Sequence, residues 1–186
     1  MLKALSNSKD NQDYFVLNAF GFKEKGYFVE FGAADGYYWS NTSLLETHYG
    51  WTGILAEPIP HWIEMLKANR PNCHLEPRCV WTKTGEILEF SEMSLPLLST
   101  IKQITPSDMF SGNRQEIKTY PVETISLNDL LAKYQAPNQI DYLSIDTEGS
   151  EYLILNSLDF DKYSFGVITC EHNYTENRQK IFRLII

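Results

Sequence analysis

The chain has 186 residues, 43% hydrophobic and 13% aromatic, which is enough for one globular domain with a real core, too little for two comfortable ones, and too aromatic for disorder. Its 24 acids against 16 bases, a formal net charge of −8, disfavour a nucleic-acid substrate and favour, weakly, a neutral or cationic small molecule. Cys73, Cys79 and Cys170 match no zinc spacing, residues 1–25 read as no signal peptide, and no run nears the roughly 20 apolar residues of a membrane span, so a cytoplasmic protein with reduced thiols is expected.

Phe15, Val16, Ala19 and Phe20 lie at helical spacing over 13–22, and Gly26 closes that segment. Residues 27–31 are β-rich, lie between glycines and predict a strand, and the small-residue loop 32–36 follows. Ser43 and Glu46 match a capping box for a helix along Leu44, Leu45 and His48, stopped at Gly50. A second strand over 52–56 ends at Glu57-Pro58. Pro60 then opens a helix through Trp62, Met65, Leu66 and Asn69, which Pro71 breaks.

Residues 73–81 read as a third strand and 86–90 as an extra one after the Thr84-Gly85 turn. The stretch 91–114, with Pro96, Pro106 and Gly112, reads as a loop insertion and as a candidate lid or acceptor-specificity element; the alternative is a surface insertion without a role. A strand over 120–125 leads to Ser126, which with Asp129 caps a helix through Tyr134. The apolar run 140–145 predicts a strand ending at Asp146. Glu148-Gly149-Ser150 then turns into a helix carrying Leu153, Ile154 and Leu158. The last strand, 165–170, ends at Glu171, and a helix begins at 178. Strands alternating with helices predict a single α/β domain over 1–186, with a mainly parallel sheet covered on both faces.

In such sheets ligands bind beyond the carboxyl ends of the strands, and the polar residues fall there. Glu30, Gly32, Ala33, Asp35 and Gly36 belong to the first strand and its loop, Glu57 ends the second strand, Asp146 and Glu148 follow the 140–145 strand, and Glu171 ends the last. The loop lacks the G-x-G-x-x-G of a dinucleotide fold. Its small residues let backbone approach a ligand, and its acids suit the amino and sulfonium groups of S-adenosylmethionine. Glu57 is placed to accept both ribose hydroxyls, the alternative being a surface Glu before Pro58. Cys79 and Val80 border the adenine on this reading, or simply pack the core.

Residues 27–36, Ser40-Asn41-Thr42, 53–58 and 141–151 together resemble the FkbM family of methyltransferases. The stretch Ile145-Asp146-Thr147-Glu148-Gly149-Ser150-Glu151 is similar to that family's I-D-x-E-G-x-E signature, and 126–130 resembles the segment before it. The likeness runs over about residues 10–182. It implies a Rossmann-like class I fold, S-adenosyl-L-methionine as cofactor, with Asn41 and Pro58 among the residues around it, and O-methylation of a hydroxyl on a sugar, glycan or small natural product. It also implies a final antiparallel β-hairpin, which is expected to be absent here because the sequence stops in the helix after the fifth core strand.

An alcohol needs help losing its proton, and the candidates are Asp146, Glu148, Glu171 and His172, with His172 having the ordinary pKa best suited to a base unless it is a solvated loop histidine. Asp146, Glu171 and Asn173 also echo a hard-oxygen site for magnesium or manganese. Two other readings stay open: a cofactor-binding module that works through a partner, and a nicotinamide-dependent oxidoreductase, which the first loop disfavours. Oligomeric state leaves no mark in the sequence.

Overall fold

A computed structural model describes residues 5–104 and 111–186. In chain order the elements are α1 (Gln12–Ala19), β1 (Tyr27–Phe31), α2 (Ser43–Tyr49), β2 (Thr52–Ala56), α3 (Pro60–Asn69), β3 (His74–Glu76), β4 (Cys79–Trp81), β5 (Ile87–Met93) and β6 (Thr100–Ile101). They continue with β7 (Glu116–Ser126), α4 (Leu127–Lys133), β8 (Gln139–Ile145), α5 (Glu151–Asn156), β9 (Ser164–Cys170) and α6 (Asn177–Ile185).

Five strands form a parallel sheet in the order β3-β2-β1-β8-β9. Alternation along β1 sends its side chains to opposite faces. Val29 and Phe31 pack with Leu130 and Leu131 of α4, Leu155 of α5 and Ile181 of α6. Phe28 packs on the other face with Leu17 of α1, Leu45 of α2 and Leu66 of α3. Each such aliphatic or aromatic side chain contributes about 1.5–3 kcal/mol on burial, so this two-sided layering is what stabilises the sheet. A parallel sheet covered on both faces is therefore present, as the alternation of elements predicts, in the Rossmann-like α/β arrangement that the resemblance implies.

A second sheet, β4-β7-β5-β6, is mixed: β4 pairs parallel with β7, while β5 runs antiparallel to β7 and β6. It has its own core of Ile59, Trp81, Phe90, Ile101 and Val122. Among the described residues no helix is long and apolar enough to cross a membrane.

Four local expectations change. The single strand over 73–81 is two strands in different sheets, because Pro77 has no amide hydrogen to continue a ladder. The capping box at Ser43 does not form: Thr42 is the N-cap, Ser43 is already helical, and the Glu46 carboxylate pairs instead with Arg70. The strand expected over 86–90 runs on through Met93, and Thr100–Ile101 pairs with it, so part of the stretch read as loop is sheet; residues 105–110 of that stretch, Pro106 included, lie outside the described residues. On α5 the buried positions are Ile154 and Leu155, while Leu153 is exposed. The Ser126 cap does form, its side chain accepting from the Asp129 amide at 3.1 Å.

Candidate active site

Strand register brings distant residues to one rim. Phe31 lies level with Ala56 and with Ile145, and Ile145 with Cys170. The next residue of each chain segment, Gly32, Glu57, Asp146 and Glu171, therefore leaves the same edge of the sheet. Between them opens a cavity of about 790 Å³, within the range of small-molecule sites. Its wall includes Glu30, Gly32, Ala33, Asn41, Glu57, Pro58, Cys79, Val80, Asp146, Glu148, Glu171, His172 and Asn173.

Close packing explains the glycine at the end of β1. Gly32 has φ +78°, and a Cβ there would lie 1.8 Å from the Asp146 carbonyl oxygen. Only glycine lets the ends of β1 and β8 meet this closely, and with Ala33 and Ala34 it leaves the loop without bulk above the backbone. Ala34 is itself left-handed, φ 47°, and its amide donates to Glu57 Oε2 at 3.0 Å. The other oxygen of Glu57 accepts from the Ile59 amide at 2.9 Å. Burial pushes the Glu57 carboxyl up to about 7 against those two hydrogen bonds, with the charge of Glu92 adding to the rise. Each carboxylate oxygen keeps a second lone pair for a ligand hydroxyl.

Glu30 is turned to the loop that follows. Its carboxylate accepts from the Asn41 amide at 2.9 Å, from Ser40 Oγ at 3.3 Å and from Thr42 Oγ1. Burial raises its pKa, and Arg70 opposes the rise. Arg70, fully buried, donates to Gly36 O at 3.0 Å, Ser40 Oγ at 3.1 Å and Thr42 Oγ1 at 3.0 Å, so Arg70 and Glu30 clamp the loop from below. Asp35 and Gly36 are not on the cavity wall. Asp35 accepts from the amides of Tyr37 and Tyr38 at 2.9 and 2.8 Å, closing its own turn. A Cβ on Gly36 would meet Leu66 at 2.4 Å, which is a packing reason for glycine. Asn41 reaches the wall and donates to Ser144 Oγ at 3.0 Å.

At the other end of the cavity Asp146, Glu148 and Glu171 each offer a carboxylate oxygen, all within 4.8 Å of one another. Enclosure by protein, then the charges of Glu171 and Glu148, hold Asp146 well above the usual carboxylate range. Burial and Glu171 push Glu148 up to about 7, against Arg114. The buried Arg114 guanidinium pairs with Glu148 and donates to Leu98 O at 2.6 Å. Thr100 Oγ1 lies 3.2 Å from the carbonyls of Thr147 and Glu148, so β6 is tied to the turn after β8. Asn173 donates to Glu171 at 3.0 Å and to Glu148 at 3.4 Å. The expected metal set of Asp146, Glu171 and Asn173 is thus joined by Glu148, with Asn173 turned to its acids as a donor. Three carboxylates against one guanidinium leave an excess of negative charge that suits a hard divalent cation or a retained proton.

His172 has a defined tautomer. The Tyr174 amide donates to its Nδ1 at 3.0 Å, so the proton of the neutral ring sits on Nε2. In this geometry His172 offers a donor rather than a free basic nitrogen, and the basic groups are the carboxylates. Cys79, buried beside Glu57, has its thiol pushed up to about 12 by burial and by that charge, so it is a neutral wall atom. Glu151 accepts from the amides of Thr147 and Gly149 at 3.0 and 2.9 Å and holds the turn before α5.

Sequence reasoning misses Arg70 and Arg114, which hold Ser40 and Glu148, and the aromatic residues Tyr38, Trp39 and Tyr174, which line the cavity. The arginines lie far in sequence from their partners, and no spacing rule links them. Adjacent aromatics after a glycine turn, at 37–39, are the one signal that was open to reading.

The methyltransferase FkbM domain, as a family model, matches residues 30–185. No curated protein matches the chain.

Proposed function

We propose, proceeding from the fact that this chain belongs to the methyltransferase FkbM family, that it moves the methyl group of S-adenosylmethionine onto a hydroxyl of a sugar, glycan or small natural product. The observation that carries this reading is the convergence of Gly32, Glu57, Asp146 and Glu171 on one cavity from the ends of four strands.

The residues fit the cofactor. The loop at 32–34 has no bulk to obstruct a close approach, Glu57 has lone pairs for two ribose hydroxyls, and Pro58, Cys79 and Val80 offer a mostly apolar wall for adenine. Glu30 and Asn41 keep the following loop in place, with Asp35 and Gly36 shaping its turn. When bound, the cofactor supplies an electrophilic methyl on a sulfonium.

The chain's own part is to hold and deprotonate the acceptor. Asp146, its carboxyl held well above the usual range by enclosure and by the charges of Glu171 and Glu148, takes the hydroxyl proton. His172 donates from Nε2 and orients the acceptor oxygen. Glu148 is held by Arg114, and Leu95, Leu97 and Leu98, on the cavity wall, are the part of the expected 91–114 lid that faces the acceptor. Asp146, Glu148 and Glu171, with Asn173 beside them, would also hold magnesium or manganese, which supplies Lewis acidity toward a hydroxyl. Positioning an oxygen in line with a bound methyl supplies much of the acceleration at such a site.

Calorimetry with S-adenosylhomocysteine, followed by methyl-release assays on a panel of hydroxylated acceptors with and without EDTA, tests the reading. Binding in the micromolar range with turnover on at least one acceptor is expected; tight binding of NAD in place of the adenosyl compound would overturn it.

A further inference from the structure

One stretch of the cavity wall comes from the start of the chain. Lys9, Asp10 and Gln12 line it, and all three lie before residue 30, where the FkbM domain match begins. Three side chains of the sheet lie on the same side. Phe28 and Tyr142 point into the core with α1 and α2, so Glu30 and Ser144, two residues on, point to that face as well, and Thr169 follows Val167 there. Glu30, Ser144 and Thr169 are level across β1, β8 and β9, and each reaches the cavity. They form a polar row on the side of α1.

Hydrogen bonds fasten the N-terminal segment to that row. Ser8 forms a β-bridge with Trp39. The Ser8 hydroxyl accepts from the Gln12 amide at 3.0 Å and donates to Asn41 Oδ1 at 2.7 Å, and Asn41 donates in turn to Ser144 Oγ at 3.0 Å. Asn11 is left-handed, φ 59°, a conformation asparagine tolerates, and the turn it closes carries Lys9 and Asp10. Buried Asp13 accepts from Ser6 Oγ at 2.5 Å and from the Tyr14 amide at 2.6 Å, which anchors the turn from behind. Lys9 Nζ lies 5.2 Å from the Trp39 ring centre, so the ring keeps the cation over the loop after β1. Gln12 Oε1 accepts from the Asp10 amide at 3.0 Å, so what Gln12 has to offer a ligand is its pair of Nε2 protons.

Charge selects what this wall can hold. Glu30, Glu57, Asp146, Glu148 and Glu171 give most of the cavity a negative lining. Among the described residues, the lysine and arginine side chains on its wall are Lys9 and Arg78, and both oxygens of Glu76 grip Arg78, at 2.8 and 3.0 Å, past the end of β3. A ligand carboxylate is therefore repelled by the acids after β8 and β9 and drawn to Lys9. S-adenosylmethionine carries a carboxylate and an ammonium together at the end remote from its adenosine. We infer that Lys9 and Gln12 receive the carboxylate of that amino-acid end and Asp10 its ammonium, with the hydroxyls of Ser144 and Thr169 as a polar floor. Residues 8–12 then complete the cofactor site from outside the matched domain. The assignment rests on the methyl-transfer reading for the identity of the ligand.

Calorimetry on the whole chain tests it by comparing S-adenosylhomocysteine with methylthioadenosine, the same adenosyl thioether without the amino-acid end. S-adenosylhomocysteine should bind the wild-type chain roughly tenfold more tightly. Lys9→Ala and Gln12→Ala should each weaken S-adenosylhomocysteine about fivefold, the scale of a solvent-exposed polar contact, and leave methylthioadenosine within about twofold of wild type. Lys9→Arg should restore the preference, and added salt should narrow it in the wild-type chain. Lys9 is exposed, so its variants keep the fold, and unchanged methylthioadenosine binding reports that directly. Equal affinity of the wild-type chain for the two compounds, or alanine variants that weaken both compounds alike or neither, would overturn the assignment and leave the methyl-transfer reading standing. Binding of neither compound would overturn that reading and the assignment with it.

Discussion

At Glu57, burial and hydrogen bonding pull in opposite directions, and the outcome is a carboxylate that both staples the Ala34 and Ile59 amides and faces the cavity. Replacing it with alanine should weaken S-adenosylhomocysteine binding by about 1–3 kcal/mol, the cost of unpairing buried polar groups, as read by calorimetry. Unchanged affinity would remove the ribose assignment. Asp146 has a different burden. Asp146→Asn keeps the shape and removes the basic oxygen, so turnover should drop by about 10²–10⁴-fold while thermal stability stays within a few degrees. A fully active variant would take Asp146 out of the mechanism. At this scale the acids were legible in the sequence because strand ends are legible. His172 was legible as a residue, but which ring nitrogen carries the proton was not, since that depends on the Tyr174 amide, a contact made by the left-handed turn at 173–174.

Among the elements, β3 and β4 show where local patterning stops informing. Apolar Cys73, Leu75, Cys79, Val80 and Trp81 recur through 73–81 between polar residues, and Pro77 marks the change of sheet. At the end of β3 the buried Glu76 draws Arg78 and, from α4, Lys133 at 2.8 Å. Burial alone would raise its pKa, but the hydrogen bonds from Arg78 and Lys133 outweigh it and hold the carboxyl at about 2, against an ordinary 4.5. A depressed folded pKa means the stabilisation is fully present above the unfolded value and is lost as pH falls from about 4.5 toward 2. Glu76→Gln should cost about 1–2 kcal/mol at neutral pH, the partners being partly solvated, and should flatten the acid limb of thermal stability. An unchanged acid limb in circular-dichroism melts would contradict the assignment. The failed capping box at Ser43 teaches the same lesson: Glu46 had a local partner available, and a buried arginine from α3's end took it.

For the whole molecule, the two sheets share material. Val80 of β4 and Ile125 of β7 belong to the second sheet by pairing and to the main core by packing. We therefore propose one cooperative domain over 1–186, expected to unfold in a single transition with coincident near- and far-ultraviolet signals; two separated transitions would contradict it. The parallel order was legible from alternation, whereas the mixed sheet was not, because β6 is two residues long and its pairing with β5 is visible only in three dimensions. The claim on which the rest depends is that one cavity receives the adenosyl sulfonium compound. A crystal structure with S-adenosylhomocysteine tests it most directly: the ribose hydroxyls should lie on Glu57, the adenine against Cys79 and Val80, and the sulfur toward Asp146. A ligand bound elsewhere, or a cavity that stays empty at saturating concentration, would contradict it.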